Sequence, residues 1–307
     1  MELHRKGEEM TVGESFNNFI YEKRLSGLTQ KSLDSYKQHA GMFIKFVGAD
    51  MLLDNLTRKD IDSYRESLLN RGLSMGTIAS YTRDMKIYLK YLEVTYSKDY
   101  STATIKSPRT PKTLPRIYTA EDIQLIYKNI VAESEWLTYR NRAIIMLMYD
   151  SGLRQSEICK LKICDINFDI NMLRVNGKGN KTRNVPMGIS SKSLILKYLS
   201  LCPYKSEYVF VNRYGDKTTT NTIKQLCSKI SRNLPFEFSS HKLRHNYATN
   251  YCLDRLDDKE DVDIYALKNL MGHEEISTTE RYLHLAQGIF ASTNHISHLD
   301  KLWEKLA

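Results

Sequence analysis

The sequence predicts a mainly α protein with a small antiparallel β-sheet, divided into an N-terminal four-helix bundle and a larger C-terminal domain. Three observations carry this. The 307 residues exceed what one hydrophobic core usually serves, so two domains are expected. Within roughly the first hundred residues, four segments place apolar side chains at helical spacing. Short runs rich in β-branched and aromatic residues then gather between about 172 and 211, around a glycine-rich turn.

Residues 1–10 are charged and aperiodic and read as a flexible arm. The first domain is expected over 11–99. Thr11 and Glu14 make a capping box for a helix striped by Phe16, Phe19 and Ile20, and Gly27 ends it. Thr29 opens a second helix carrying Leu33, Tyr36, Ala40, Phe43 and Val47. Thr57 with Asp60 caps a third, with Ile61, Tyr64 and Leu68, that stops at Gly72. Gly76 lies near the start of a fourth, striped by Ile78, Tyr81, Met85, Tyr88 and Leu92. Amphipathic helices joined by short loops pack as a bundle. Their opposite faces hold Lys31, Lys37, Arg65, Arg71, Arg83, Lys86 and Lys90, which read either as a solvated face or as contacts to phosphates.

A basic, extended linker is expected over 100–117, where Pro108, Pro111 and Pro115 break periodicity among Lys106, Arg109, Lys112 and Arg116. The second domain, 118–307, opens on a capping box of Thr119 and Asp122 ahead of Ile123, Leu125 and Ile126. A helix over about 139–150 turns at Ser151-Gly152-Leu153 into another that starts near Arg154. Met172-Leu173-Arg174-Val175 and Arg183-Asn184-Val185-Pro186 flank the turn Gly177-Lys178-Gly179-Asn180 as a β-hairpin, and Tyr208–Val211 reads as a third strand. Helices follow over about 220–231, 241–254, 262–271, 277–286 and 293–306, with Ser277 and Glu280 as a capping box for the fourth. The last carries Ile296, Leu299 and Leu302 on one stripe.

Composition bounds the function. Lys and Arg number 45 against 36 Asp and Glu, a net charge of +9 that suits a polyanionic partner. No apolar run approaches the roughly 20 residues a membrane span needs. Nor does the N-terminus show the apolar stretch of a signal peptide, so the expected location is the cytoplasm, with no membrane contact. Five scattered cysteines without a Cys-x-x-Cys pair are expected to be buried thiols, not a disulfide framework or zinc ribbon.

Four segments of the second domain hold side chains suited to attacking a phosphodiester. They are Ser151-Gly152-Leu153-Arg154-Gln155-Ser156-Glu157, the hairpin tip with Lys178, His241-Lys242-Leu243-Arg244-His245, and Leu270 to Leu285 with Gly272, His273 and Tyr282. Each has a plainer reading: Arg154 can cap or pair within its helix, Glu157 can pair with it, Lys178 can be turn charge beside Lys181 and Arg183, and Tyr282 can be packing. His241 and His245 at i, i+4 could also be a zinc pair, although no Glu or Cys at ligand spacing joins them.

Taken together and in order, Arg154, Lys178, His241, Arg244, His273 and Tyr282 resemble the signature of the tyrosine recombinase (phage integrase) family. The surrounding words Gly-Leu-Arg-x-x-Glu, Gly-Lys-Gly-Asn-Lys, Leu-Arg-His-x-x-Ala-Thr and Met-Gly-His fit as well. So does the N-terminal bundle, which looks like that family's SAM-like core-binding domain, so the resemblance covers nearly the whole chain. It implies Tyr282 as nucleophile, Arg154 and Arg244 as a clamp on the non-bridging oxygens, His273 as a donor to one of them, and Lys178 as the acid for the leaving 5′-oxygen. His241 is then the candidate base. No cofactor or metal is implied.

The implied partner is double-stranded DNA with paired recombination sites, gripped by a two-domain clamp. The implied assembly is a homotetramer on DNA coupled through the helix 292–306, with accessory DNA-bending or directionality proteins possible. The biological job is open between a mobile-element integrase, the preferred reading, and Xer-type chromosome dimer resolution; the two-domain layout without an extra arm-binding domain fits simple sites. A type IB topoisomerase, or a DNA-binding protein that never cuts, are the rivals from other classes.

Overall fold

The computed structural model describes residues 10–109, 116–177 and 181–294. Backbone contacts divide the chain into two units, Met1–Thr113 and Leu114–Ala307.

In the first unit, α1 (Val12–Leu25), α2 (Gln30–Val47), α3 (Arg58–Asn70) and α4 (Met75–Thr95) start where short polar side chains can accept orphan amides. Thr11 and Thr57 form full capping boxes with Glu14 and Asp60, while Thr29 and Ser74 cap α2 and α4 alone. The striped residues converge: Phe19, Phe43, Ile61, Tyr64, Leu68, Tyr88 and Leu92 are fully buried in one core. Tyr88 satisfies its hydroxyl in that core against Ser15 Oγ, 2.6 Å away.

The stretch after α4 is not extended where it starts. Tyr100 and Ile105 are buried in the bundle core, and Thr102–Thr104 form a 3-10 turn. The Glu93 carboxylate accepts from the Thr102 amide (2.9 Å) and hydroxyl (2.8 Å), pinning the chain. Apolar burial here outweighs the flexibility that the basic, proline-containing composition suggests. Pro111, Lys112 and Pro115 lie outside the described residues, as does most of the expected N-terminal arm. Part of the basic face is also committed locally. Arg65 pairs with Asp62, Arg83 with Asp84 and Lys90 with Glu93, and Lys86 donates to the Ile105 carbonyl. Lys31, Lys37 and Arg71 are exposed.

The second unit runs α5 (Ala120–Lys128), α6 (Glu135–Ser151), α7 (Gln155–Lys160), β1 (Ile166–Asn167), β2 (Met172–Asn176), β3 (Thr182–Pro186), α8 (Ile189–Leu201), α9 (Thr220–Ser231), α10 (Ser240–Asp257), α11 (Ile264–Met271) and α12 (Ser277–Asn294). The sheet is antiparallel in the order β1-β2-β3, with Leu173 opposite both Ile166 and Val185. A larger core gathers α6, the sheet and Leu243 of α10. A smaller one holds Ala248 and Cys252 of α10, Leu267 and Met271 of α11, and Tyr282 and Ala286 of α12. Helix α10 therefore serves both cores.

Several expectations need correction. Tyr208–Val211 is not a sheet strand: Tyr208 and Val211 make only isolated bridges, to Lys162 and Lys217, while Val209 and Phe210 are buried. Its apolar side chains feed the core without a ladder to join. Helix α8 is not expected from the sequence, because Ile189 and Leu196 face solvent and blur its stripe. Ser277 is the first residue of α12 and not its cap, since the Glu280 amide donates to the Ile276 carbonyl at 3.0 Å. Residues 292–294 are the end of α12, and 295–306 of the expected last helix lie outside the described residues. Cys159, Cys227 and Cys252 are buried free thiols, but Cys164 is exposed. Among the described residues no helix is long and apolar enough to cross a membrane.

Candidate active site

The site begins at a sharp turn. Gly152 ends α6 in the left-handed region (φ +61°), and this turn lets Arg154 cap α7 from outside the helix. The Arg154 amide donates to Glu157 Oε2 (2.8 Å) and its guanidinium to Oε1 (2.9 Å). The plain reading of this pair as a helix cap therefore holds, but it is not the whole of it: Arg154 Nη2 also donates to the Gly272 carbonyl, 2.9 Å away and 118 residues on. A methyl group on Gly152 would sit 2.4 Å from Tyr247 Cδ1. Gly152→Ala is therefore expected to destabilise the second unit by about 1–3 kcal/mol, from the left-handed backbone alone, plus whatever moving Tyr247 adds. Denaturant unfolding of that unit checks it, and an unchanged midpoint would contradict it.

Glu157 is the buried hub. It also accepts both terminal nitrogens of Arg183, each at 2.9 Å, and Arg183 Nε donates to the Leu270 carbonyl (2.7 Å). Arg183 binds β3 to the end of α11. In the sequence Arg183 reads only as a competitor of Lys178. Its signal is its phase on β3: it shares the inward face with buried Val185, an unusual place for an unpaired charge. From α10, the buried Arg244 donates to the Gly152 carbonyl (2.5 Å) and to that of Met271. Three guanidiniums thus surround one carboxylate, leaving a local excess of positive charge. The Arg154 side chain is 36% exposed and that of Arg183 11%, so of these two Arg154 is the better placed to turn toward a ligand.

His273 follows Gly272, the left-handed cap of α11 (φ +61°), where an added Cβ would lie 3.1 Å from Arg183 Nη1 and 3.4 Å from Arg154 Nη1. The glycine gives the guanidiniums room to approach this loop. His273 Nδ1 lies 2.8 Å from Thr279 Oγ1. Burial, then Arg244, Arg154 and Arg183, push its pKa down to about 4, so the ring is neutral at pH 7.

Tyr282 is 4% exposed and packs in the smaller core, with its ring nearly parallel to that of His273 at 6.2 Å. Burial raises its phenol pKa, while Arg244, Arg281 and Arg154 pull it back. Its hydroxyl meets not His241 but His245, with Nδ1 2.7 Å away. His241 is exposed in the first turn of α10, edge-to-face on the His245 ring at 4.4 Å. Burial first, then His241, Arg281 and Arg244, push His245 down to about 4.

The fold thus gathers Arg154, Arg244, His241, His273 and Tyr282, and adds Glu157, Arg183 and His245. Lys178 lies outside the described residues. Its neighbours Gly177 and Lys181 line a cleft of about 380 Å³ with Arg154, Arg183, Gly272 and His273. Among the described residues no three of His, Cys, Asp and Glu are grouped so as to hold a metal ion.

A tyrosine set among histidines and buried arginines, in a helical domain with a short antiparallel sheet, defines the class of tyrosine recombinases. Residues 116–288 match the model described as "Phage integrase family", more than half of the chain, and the protein belongs to that family. It is 29% identical to tyrosine recombinase XerC of Rickettsia canadensis, over 86% of this chain and 88% of that one. It is likewise 29% identical to tyrosine recombinase XerA of Pyrococcus horikoshii, over 91% of each. Its fold is similar to the Tn1549 transposon integrase solved with a circular intermediate DNA, with a TM-score of 0.72 at 15% identity, covering 96% of this chain and 99% of that one.

Proposed function

We propose that this chain is a site-specific recombinase that cuts and rejoins duplex DNA through a 3′-phosphotyrosine on Tyr282. The observation that carries the proposal is the setting of that phenol, stacked on His273, hydrogen-bonded to His245, and close enough to Arg244, Arg154 and Arg281 to feel their charge. A phosphodiester under attack concentrates charge on its non-bridging oxygens, and preorganised guanidiniums in a water-poor site stabilise that charge. Arg154 and Arg244 supply the clamp and His273 a further donor. The Tyr282 oxygen bonds to phosphorus as the P–O5′ bond breaks, and Lys178 protonates the departing oxygen. The phosphotyrosine keeps the bond energy, so a second 5′-hydroxyl reverses the step without ATP or metal.

The working unit in this reading is a homotetramer on two DNA sites, coupled through 292–306, with strands exchanged through a Holliday junction in the cytoplasm. Accessory DNA-bending or directionality proteins are compatible with it. The preferred job is integration and excision of a mobile element. Xer-type dimer resolution is the second reading, favoured by the Xer recombinases among its relatives, which match along nearly their whole length.

One experiment addresses both levels. The protein is incubated without metal on nicked duplexes of random core sequence, and denaturant-resistant protein–DNA adducts are sequenced. The recombinase reading expects an adduct on a defined site. A site at the joined ends of an excisable element supports the integrase reading, and a lone chromosomal site the Xer reading. Tight binding without an adduct would overturn cleavage altogether.

A further inference from the structure

We propose that His245, and not His241, takes the phenolic proton of Tyr282 during cleavage. The inference rests on the recombinase reading and adds a catalytic residue to it.

The geometry points there directly. A general base must lie within about 2.6–3.2 Å of the atom it deprotonates. His245 Nδ1 meets that condition at 2.7 Å from the Tyr282 hydroxyl. His241 sits one turn earlier on α10, exposed, with its ring packed edge-to-face on that of His245. Nor is the contact mere packing. Tyr282 is anchored by its ring in the core of Ala248, Cys252, Leu267 and Met271, and its hydroxyl lies against this nitrogen, with the Arg281 side chain also close enough to lower its pKa.

The groups facing His245 make it a proton acceptor that does not fill early. His241 and Arg244 approach it on α10, and Arg281 on α12; His273 in turn feels it from the loop before α12. These positive or proton-binding neighbours, with burial, keep the imidazole neutral near pH 7, and in the tautomer with its proton on Nε2 the Nδ1 lone pair accepts from the phenol O–H. An imidazolium would be unfavourable there until a phosphate brings negative charge, so proton transfer is coupled to the arrival of substrate. In the step, the O–H bond breaks, the proton moves to Nδ1, and the freed electron pair forms the O–P bond. The P–O5′ bond breaks and its electron pair takes the proton of Lys178. In rejoining, the incoming 5′-hydroxyl gives its proton to Lys178, and the His245 imidazolium returns a proton to Tyr282.

The test is the rate of adduct formation on a nicked duplex, with tyrosine or a ring-fluorinated tyrosine of lower pKa at position 282. His245→Ala is expected to slow adduct formation by about 100-fold or more, with DNA affinity kept. Fluorotyrosine, which needs less help to lose its proton, should recover most of that loss, and should not recover the loss in His241→Ala. His245→Gln, which keeps a polar side chain on the phenol but cannot take its proton, should behave as His245→Ala does and covers the case in which alanine unfolds the site. The proposal falls if His245→Gln cleaves at the unmutated rate, if fluorotyrosine restores nothing, or if the recovery appears in His241→Ala instead. An unmutated protein that forms no adduct defeats the recombinase reading as well, which separates the two failures.

Discussion

Glu157→Gln is expected to lower the stability of the second unit by about 3–5 kcal/mol, the usual penalty for breaking a buried ion pair from one side. The carboxylate is almost wholly buried and receives Arg154 and both forks of Arg183. An amide offers one acceptor oxygen and turns its NH₂ toward a guanidinium, leaving Arg183 buried without a counter-charge. The damage spreads because Arg183 also ties β3 to the Leu270 carbonyl and Arg154 holds that of Gly272. Cleavage should fall with stability, since Arg154 loses the partner that orients it. The pH dependence has a definite sign. Burial raises the Glu157 pKa, but Arg183 and Arg154 together hold it below the ordinary carboxylate value. Its contribution is therefore complete above that ordinary value and is lost as pH falls through the lower folded one. Urea unfolding from neutral pH downward should show the variant with both a lower midpoint and a shallower acid slope. An unaltered midpoint would mean that the three guanidiniums are held apart by something else.

Arg244→Lys should lose about 100–1000-fold in cleavage rate, the range for removing one preorganised donor from a developing oxyanion. The guanidinium is buried and spans two loops, donating to the Gly152 and Met271 carbonyls at once. A lysine ammonium is a point charge without a planar fork and cannot hold both while facing a phosphate. Burial and neighbouring Arg154 push the Arg244 pKa down to about 10, which still leaves it charged at neutral pH. Net charge is thus the same in the variant, and DNA affinity, which sums many phosphate contacts, should change little. Single-turnover cleavage beside a binding titration separates the two. Equal losses in both would reassign Arg244 from stabilising the reaction to binding DNA.

How far the sequence reveals this molecule depends on the range of each interaction. Caps are local, and Thr11, Thr29, Thr57 and Thr119 all start the helices their sequence context marks. Strong stripes are also local, so the bundle core of Phe19, Phe43, Tyr64 and Tyr88 follows from spacing. Helix α8 has no such stripe, and Tyr208–Val211 has strand-like residues but no neighbouring ladder, so neither is decided by its own sequence. In the site, ordered words mark Arg154, Arg244, His273 and Tyr282. Their mutual arrangement hangs on contacts between residues far apart in the chain, which no window of sequence contains. His245 illustrates the limit. Its spacing from His241 places two imidazoles on one face of a helix, which the sequence offers only as an unsupported metal pair; the packing of α12 on α10 turns one of them to the Tyr282 phenol. Arg183 likewise looks like turn charge until β3 meets the end of α11.

The most direct measurement is to find the residue that carries the DNA. An adduct formed without metal on a nicked duplex, digested with nuclease and protease, can be mapped by mass spectrometry, with Tyr282→Phe treated in parallel. The predicted result is a nucleotide joined through its 3′-phosphate to Tyr282, a free 5′-hydroxyl on the released strand, and no adduct in the phenylalanine variant. A 5′-linkage, an adduct on another residue, or an adduct that survives Tyr282→Phe would contradict the chemistry assigned to this site.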